Sequence, residues 1–252
     1  MCLINLQFQQ HPRYKLIVAA NRDEFYGRPA APAHFWEDSP RILAGRDLSQ
    51  MGTWLGVNKA GRFAALTNYR DPGHMAAGAK SRGELVTQFL DGHLSPQDYL
   101  QAIDDREYAG FNLIAGDAEG LYYYNNIHGE PVEIPPGTHG LSNHFLNTPW
   151  PKVERGKEKL EAYVAVNEQL ELDRLFEILA DAEQAPDHLL PETGVGLDLE
   201  RALSPMFIKM PDYGTRSATV LLVGHDGLVT FAERSYEDGE FREDRKYEFQ
   251  IS

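Results

Sequence analysis

The sequence has a single cysteine, Cys2, among 252 residues. No intrachain disulfide can form, and a zinc centre built on cysteines is excluded. Basic residues are scarce: 24 Lys and Arg stand against 38 Asp and Glu, a formal net charge of −14. A chain this acidic lacks the basic face that sequence-independent nucleic-acid binding needs. The same deficit disfavours attachment to anionic membranes. Long apolar runs are missing too. Leu16-Ile17-Val18-Ala19-Ala20 is too short to cross a bilayer, and the first residues lack the basic and apolar regions of a signal peptide. The expectation is a cytoplasmic protein without stable membrane insertion. There is no Walker loop, no Gly-x-Gly-x-x-Gly after a strand and no Gly-x-Ser-x-Gly. The histidines, His74 included, show neither His-x3-His nor His-Glu-x-x-His spacing, so no catalytic metal is expected.

What is present is an ordinary globular composition, 42% hydrophobic and 25% charged, in a chain long enough to bury a sizeable core. Cys2 to Gln9 alternates apolar and polar positions, and Lys15 to Ala20 is apolar; together they predict a hairpin. A polar loop with Pro29, Pro32 and Pro40 is expected next. Trp54–Val57 and Phe63–Thr67 flank the turn Asn58-Lys59-Ala60-Gly61 and predict a second hairpin. Ser81-Arg82-Gly83-Glu84 has the form of a capping box, and Ser95-Pro96 of a cap with an N1 proline. Strands are predicted at Phe111–Ala115 and Leu121–Tyr124, and helices at Pro151–Ala165 and Gln169–Ala182. Asp187–Pro205 reads as an irregular loop. Thr219–Gly224, Leu228–Arg234 and Lys246–Ile251 read as strands, the first two joined by His225-Asp226-Gly227. Strands and helices in separate runs point to an α+β fold around antiparallel sheets. No linker is long enough to divide the chain, so residues 1–252 are expected to form one domain.

Cys2 is the first candidate for chemistry. Removal of the initiator Met would place a thiol and an α-amine on one residue, a nucleophile with its own base. Without that, Cys2 is a small apolar residue at the start of a strand, as free cysteines often are. Asn21-Arg22-Asp23-Glu24 follows the apolar strand, where side chains can project into a site. Arg22 offers a guanidinium fork for a carboxylate or phosphate; a solvated turn with an internal ion pair is the alternative. Asn68 and Asn143 each follow a short strand and could donate to a developing oxyanion or cap a turn. Arg216 could hold an anionic group.

Taken together the segments resemble the NRDE family, also called the transport and Golgi organisation protein 2 family. The matching segments are Met1-Cys2, Ala19 to Tyr26, Gly52-Thr53-Trp54-Leu55-Gly56, Ala65-Leu66-Thr67-Asn68-Tyr69 and Arg82 to Val86. They continue with Gly110 to Ile114, Gly140-Leu141-Ser142-Asn143, Thr148-Pro149-Trp150, Gly214-Thr215-Arg216-Ser217 and Glu233-Arg234-Ser235. More distantly, the layout is similar to N-terminal-nucleophile (Ntn) hydrolases of the penicillin V acylase and bile-salt hydrolase type. That resemblance implies a four-layer αββα sandwich of two stacked antiparallel sheets flanked by helices. It also implies a catalytic set of Cys2, Asp23, Asn68, Asn143 and Arg216, with Asn21, Arg22, Asp23, Glu24, Tyr69 and Arg216 around the ligand. In those hydrolases the arginine precedes the Asp by three residues, whereas Arg22 adjoins Asp23 and points to the opposite face of an extended segment. The family resemblance implies a haem-binding and haem-trafficking protein with haem as ligand and haem-accepting proteins as partners. An Ntn amidohydrolase or thioesterase using Cys2, or a non-catalytic acyl-lipid or acyl-CoA binder, are the other functions it implies.

Overall fold

The opening alternation folds into a hairpin of β1 (Cys2–Phe8) and β2 (Tyr14–Phe25). The computed structural model describes residues 2–70, 80–117 and 119–252, so Met1 and His74 lie outside the described residues. Two strands, β3 (Ala30–Phe35) and β4 (Ile42–Asp47), occupy the segment expected to be a Pro-rich loop. The second hairpin is β5 (Leu55–Asn58) and β6 (Phe63–Asn68). Helices α1 (Gly83–Asp91) and α2 (Pro96–Gln101) follow, then β7 (Phe111–Gly116), β8 (Leu121–Asn125), β9 (Val132–Glu133) and β10 (Gly137–Leu141). Helices α3 (Pro151–Val166), α4 (Leu172–Leu179) and α5 (Leu197–Leu203) precede β11 (Tyr213–Gly224), β12 (Leu228–Glu237) and β13 (Glu240–Gln250). Among the described residues no helix is long and apolar enough to cross a membrane.

The chain forms two compact units, each assembled from separated segments. Unit one takes Met1–Gly27, Pro136–Ser142 and Leu146–Phe249; unit two takes Arg28–Pro135, Asn143–Phe145 and Gln250–Ser252. Unit one holds a six-stranded sheet in the order β10-β1-β2-β11-β12-β13. Helix α3 packs on β1 and the edge strand β10, and α4 on β2 and β11; Leu160, Val164, Leu175, Phe176 and Leu179 are buried with Ile17, Ala19, Val220 and Leu222. Unit two holds a seven-stranded sheet in sequence order, β3 to β9. Its helices α1 and α2 pack on it through Leu85, Val86, Phe89, Leu90 and Leu100.

Four sequence expectations are corrected, each for a local reason. Pro32 did not prevent β3, because that strand lies at the sheet edge and its register shifts between Ala31 and His34; a proline is tolerated there because no ladder bond is lost. Asn21 to Glu24 continues β2, since β11 pairs with it through Phe25; backbone pairing, not side-chain polarity, ends a strand. The capping box does not form: Arg82 is the α1 cap residue with no side-chain cap bond, and Glu84 instead accepts from the Tyr108 hydroxyl at 2.7 Å. Part of the segment expected to be an irregular loop is α5. Ser95 does cap α2, accepting from the Asp98 N–H at 3.1 Å.

Candidate functional site

Cys2 begins β1 and stands directly opposite Arg22 in the β1–β2 register. Opposed residues of an antiparallel pair share a face, so Arg22 projects on the same side as Cys2. The Ser142 hydroxyl donates to the Cys2 carbonyl at 3.0 Å and fixes the strand end. Burial pushes the Cys2 thiol above its ordinary pKa, and the Asp23 charge adds to that. Arg22 and a hydrogen bond from the Asp23 backbone N–H act in the other direction.

Asp23 lies on the other face of β2 and is 1% exposed. Its Oδ1 accepts from the Thr215 hydroxyl at 2.8 Å, and Thr215 is its cross-strand partner. The same Thr215 oxygen accepts from the Ile208 N–H at 2.9 Å. Burial pushes Asp23 up, opposed by the charge of Lys152, the Thr215 hydrogen bond and Arg22. Lys152 and Thr215 escaped the sequence reading. Thr215 was visible in the Gly214-Thr215-Arg216-Ser217 segment, whereas no pattern marks Lys152, one residue into α3.

Arg216 sits inside β11 rather than ahead of a strand, at the register shift between Thr215 and Ser217. Such a bulge leaves one residue outside the pairing and re-aims its side chain. Its Nη1 donates to the Phe25 and Tyr26 carbonyls, each at 2.9 Å. Burial and then the Arg22 charge hold Arg216 below the ordinary arginine value, which leaves it cationic. Two guanidinium groups therefore act on one neighbourhood, with Glu24 3.9 Å from Arg22 as a loose counter-charge.

Asn21 takes a different role from the one expected of a ligand-binding residue. It is fully buried, and its amide donates to the Leu179 and Met206 carbonyls, both at 2.9 Å. It ties β2 to the end of α4 and to the segment before β11.

Unit two brings together the other expected residues. The Asn143 amide donates to the Asn68 carbonyl at 2.8 Å, and the Asn143 carbonyl accepts from the Arg70 N–H at 2.7 Å. Tyr69 and His144 share a hydrogen bond of 3.2 Å between the hydroxyl and Nε2. Their rings and Phe145 are in mutual contact, with centroids 4.5–5.2 Å apart. Burial holds His144 below its ordinary pKa. No group of three or more His, Cys, Asp and Glu side chains among the described residues is arranged to hold a metal ion.

A family model described as Transport and Golgi organisation 2 matches residues 1–238. The chain belongs to this family. A Homo sapiens transport and Golgi organization protein 2 homolog is 40% identical over 275 residues, covering 100% of this chain and 99% of that protein. The Bos taurus homolog is also 40% identical, covering 93% of each. Among solved structures, a Caenorhabditis elegans N-acylethanolamine-hydrolyzing acid amidase ortholog matches with a TM-score of 0.50 and 8% identity, over 88% of this chain and 92% of that one. At that identity the likeness carries the fold alone. The fold is therefore α+β, built on antiparallel sheets and of the Ntn-hydrolase-like class.

Proposed function

We propose that this chain is a cytoplasmic haem-binding and haem-trafficking protein that holds its ligand at the Arg22–Arg216 pair beside Cys2. The carrying observation is that pair, two guanidiniums on one neighbourhood with Arg216 fixed by the Phe25 and Tyr26 carbonyls. Two neighbouring cations, one of them fixed by backbone carbonyls, suit a ligand with two carboxylates, as the haem propionates are, because charge-assisted contacts to guanidinium are directional and strong. The thiol beside them is held in its protonated form. A neutral thiol is a poor nucleophile but a replaceable neighbour for iron, which suits release as well as binding.

Titration of the purified chain with haem tests this. A discrete Soret change saturating at about one haem per chain is expected, with transfer to an apo-acceptor. Arg22→Ala or Arg216→Ala should each weaken binding by about 1–3 kcal/mol, the range for a hydrogen bond to a charged group. Featureless uptake without saturation overturns the reading.

One observation favours a second reading. Cys2 starts its strand, and Arg22 and the Asp23 backbone N–H both favour its thiolate, the nucleophilic form. Once Met1 is removed, the freed α-amine would accept the thiol proton, and the site would hydrolyse a small amide or thioester. Intact mass of the protein from its native source decides: retained Met1 closes this route. Turnover of such a substrate, abolished in Cys2→Ala, would establish it.

A further inference from the structure

Lys152 is the most anomalous charge of unit one. It is 3% exposed, and lysine is almost never that buried without a partner. It also stands in the first turn of α3, behind Pro151, where the positive end of the helix dipole opposes a cation. Two penalties at one residue need a compensating anion nearby. The packing identifies it. The start of α3 closes on Leu3 through Trp150 and Val153. Leu3 is the cross-strand partner of Asn21, and Asp23 follows Asn21 on the same face of β2. Asp23 is thus the carboxylate beneath that helix turn, and its strongest electrostatic partner there is Lys152.

We propose that Lys152 is a positioning residue of the Cys2 site: its buried ammonium is the fixed counter-charge of Asp23 and thereby sets the environment of the Cys2 thiol. The other charges acting on both Asp23 and Cys2 are the chain's α-ammonium and Arg22; Glu24 and Arg216 are in turn coupled to Arg22. Arg22 and Glu24 partly offset each other, and Arg216 is bound to backbone carbonyls. Lys152 is left as the cation that comes from the helix layer. Lys152 opposes the upward push of burial on Asp23 and so favours its carboxylate, the negative neighbour of the thiol. Without it, burial acts against that charge with less opposition, and the thiol loses part of its negative neighbour. The inference concerns the thiol and not its ligand, so it stands or falls independently of the haem and hydrolase readings.

The single cysteine makes the test clean, because every thiol alkylation reports Cys2 and Cys2→Ala gives the background. The rate of iodoacetamide labelling is followed by intact mass across pH in the full chain. Lys152→Met should lower the midpoint of the rate profile by about one pH unit, the usual scale for a nearby charge. Asp23→Asn should lower it similarly, and the double variant should go no further. Lys152→Arg, which keeps the charge, should leave the profile in place. An unchanged midpoint in Lys152→Met, or additive shifts in the double variant, overturns the proposal. If Lys152→Met alone does not fold, the double variant should recover the fold, because removing both partners of a buried pair is far milder than removing one. A double variant no more stable than Lys152→Met also overturns it.

Discussion

The two units bury polar side chains for different purposes. In unit two they close on themselves: Asn112 accepts from the Tyr123 hydroxyl at 2.6 Å and donates to Thr67 at 3.1 Å. Asn58 likewise bonds the Ala60, Arg62 and Leu90 backbone and so secures a turn. The helix-facing core around them is apolar and aromatic. In unit one the buried groups include ionisable ones, Asp23 and Lys152, and stand beside a half-buried thiol and two guanidiniums. Closed polar networks add rigidity, whereas buried ionisable groups are costly to the fold and mark sites of chemistry. Unit two is built for persistence, and unit one carries the reactive groups.

The largest effect should come from the apolar core of unit two. Phe89 of α1 is fully buried, so Phe89→Ala should destabilise by about 3–5 kcal/mol in urea unfolding. A much smaller loss would break the contrast. Second comes close packing in unit one. A Cβ on Gly156 of α3 would stand 2.5 Å from the Asn5 Oδ1 and 2.6 Å from its Nδ2. Gly156→Ala should cost about 1–3 kcal/mol, and adding Asn5→Ala should restore part of it. Strict additivity would show that the two residues do not meet.

Asp23→Asn should have a smaller effect on stability and one that depends on pH. Burial makes the folded Asp23 carboxyl bind its proton more tightly than the unfolded one. Its stabilising contribution is therefore complete below the unfolded carboxyl's titration and is lost as pH rises through the folded value. The melting temperature of wild type should gain on that of Asp23→Asn as the solution is acidified; the opposite trend would contradict a carboxyl held up by burial. The smallest effect concerns His144, whose proton is bound more weakly in the fold. Stability from its neutral form is present above the ordinary histidine value and is lost as pH falls below it. His144→Gln should flatten the melting-temperature profile between pH about 7 and 5.

Much of this fold was legible because alternation and turn residues act locally. The Cys2–Phe8 hairpin, the β5–β6 hairpin around Gly61 and the Ser95 cap follow from neighbours in sequence. β3 and the polar half of β2 were not legible, because their partners are supplied by distant segments. Within Asn21 to Glu24 the opposite facing of Arg22 and Asp23 was legible from their adjacency, whereas the register that sets Arg22 opposite Cys2 and Asp23 opposite Thr215 was not. Lys152 was invisible for the same reason, since its meaning depends on the carboxylate beneath the helix and not on its own neighbours in the chain.

β2 is twelve residues long, with β1 on one flank and β11 on the other. Its apolar half is welded into the core, and its polar half carries Arg22 and Asp23 without any intervening loop. A ligand held on such a clamped beam, as proposed above, would meet shape and charge already in place, and little ordering entropy would be lost on binding. Family members that diverge in what they accept would therefore differ in side chains along this beam and its bulged neighbour, while the backbone beneath them keeps its course.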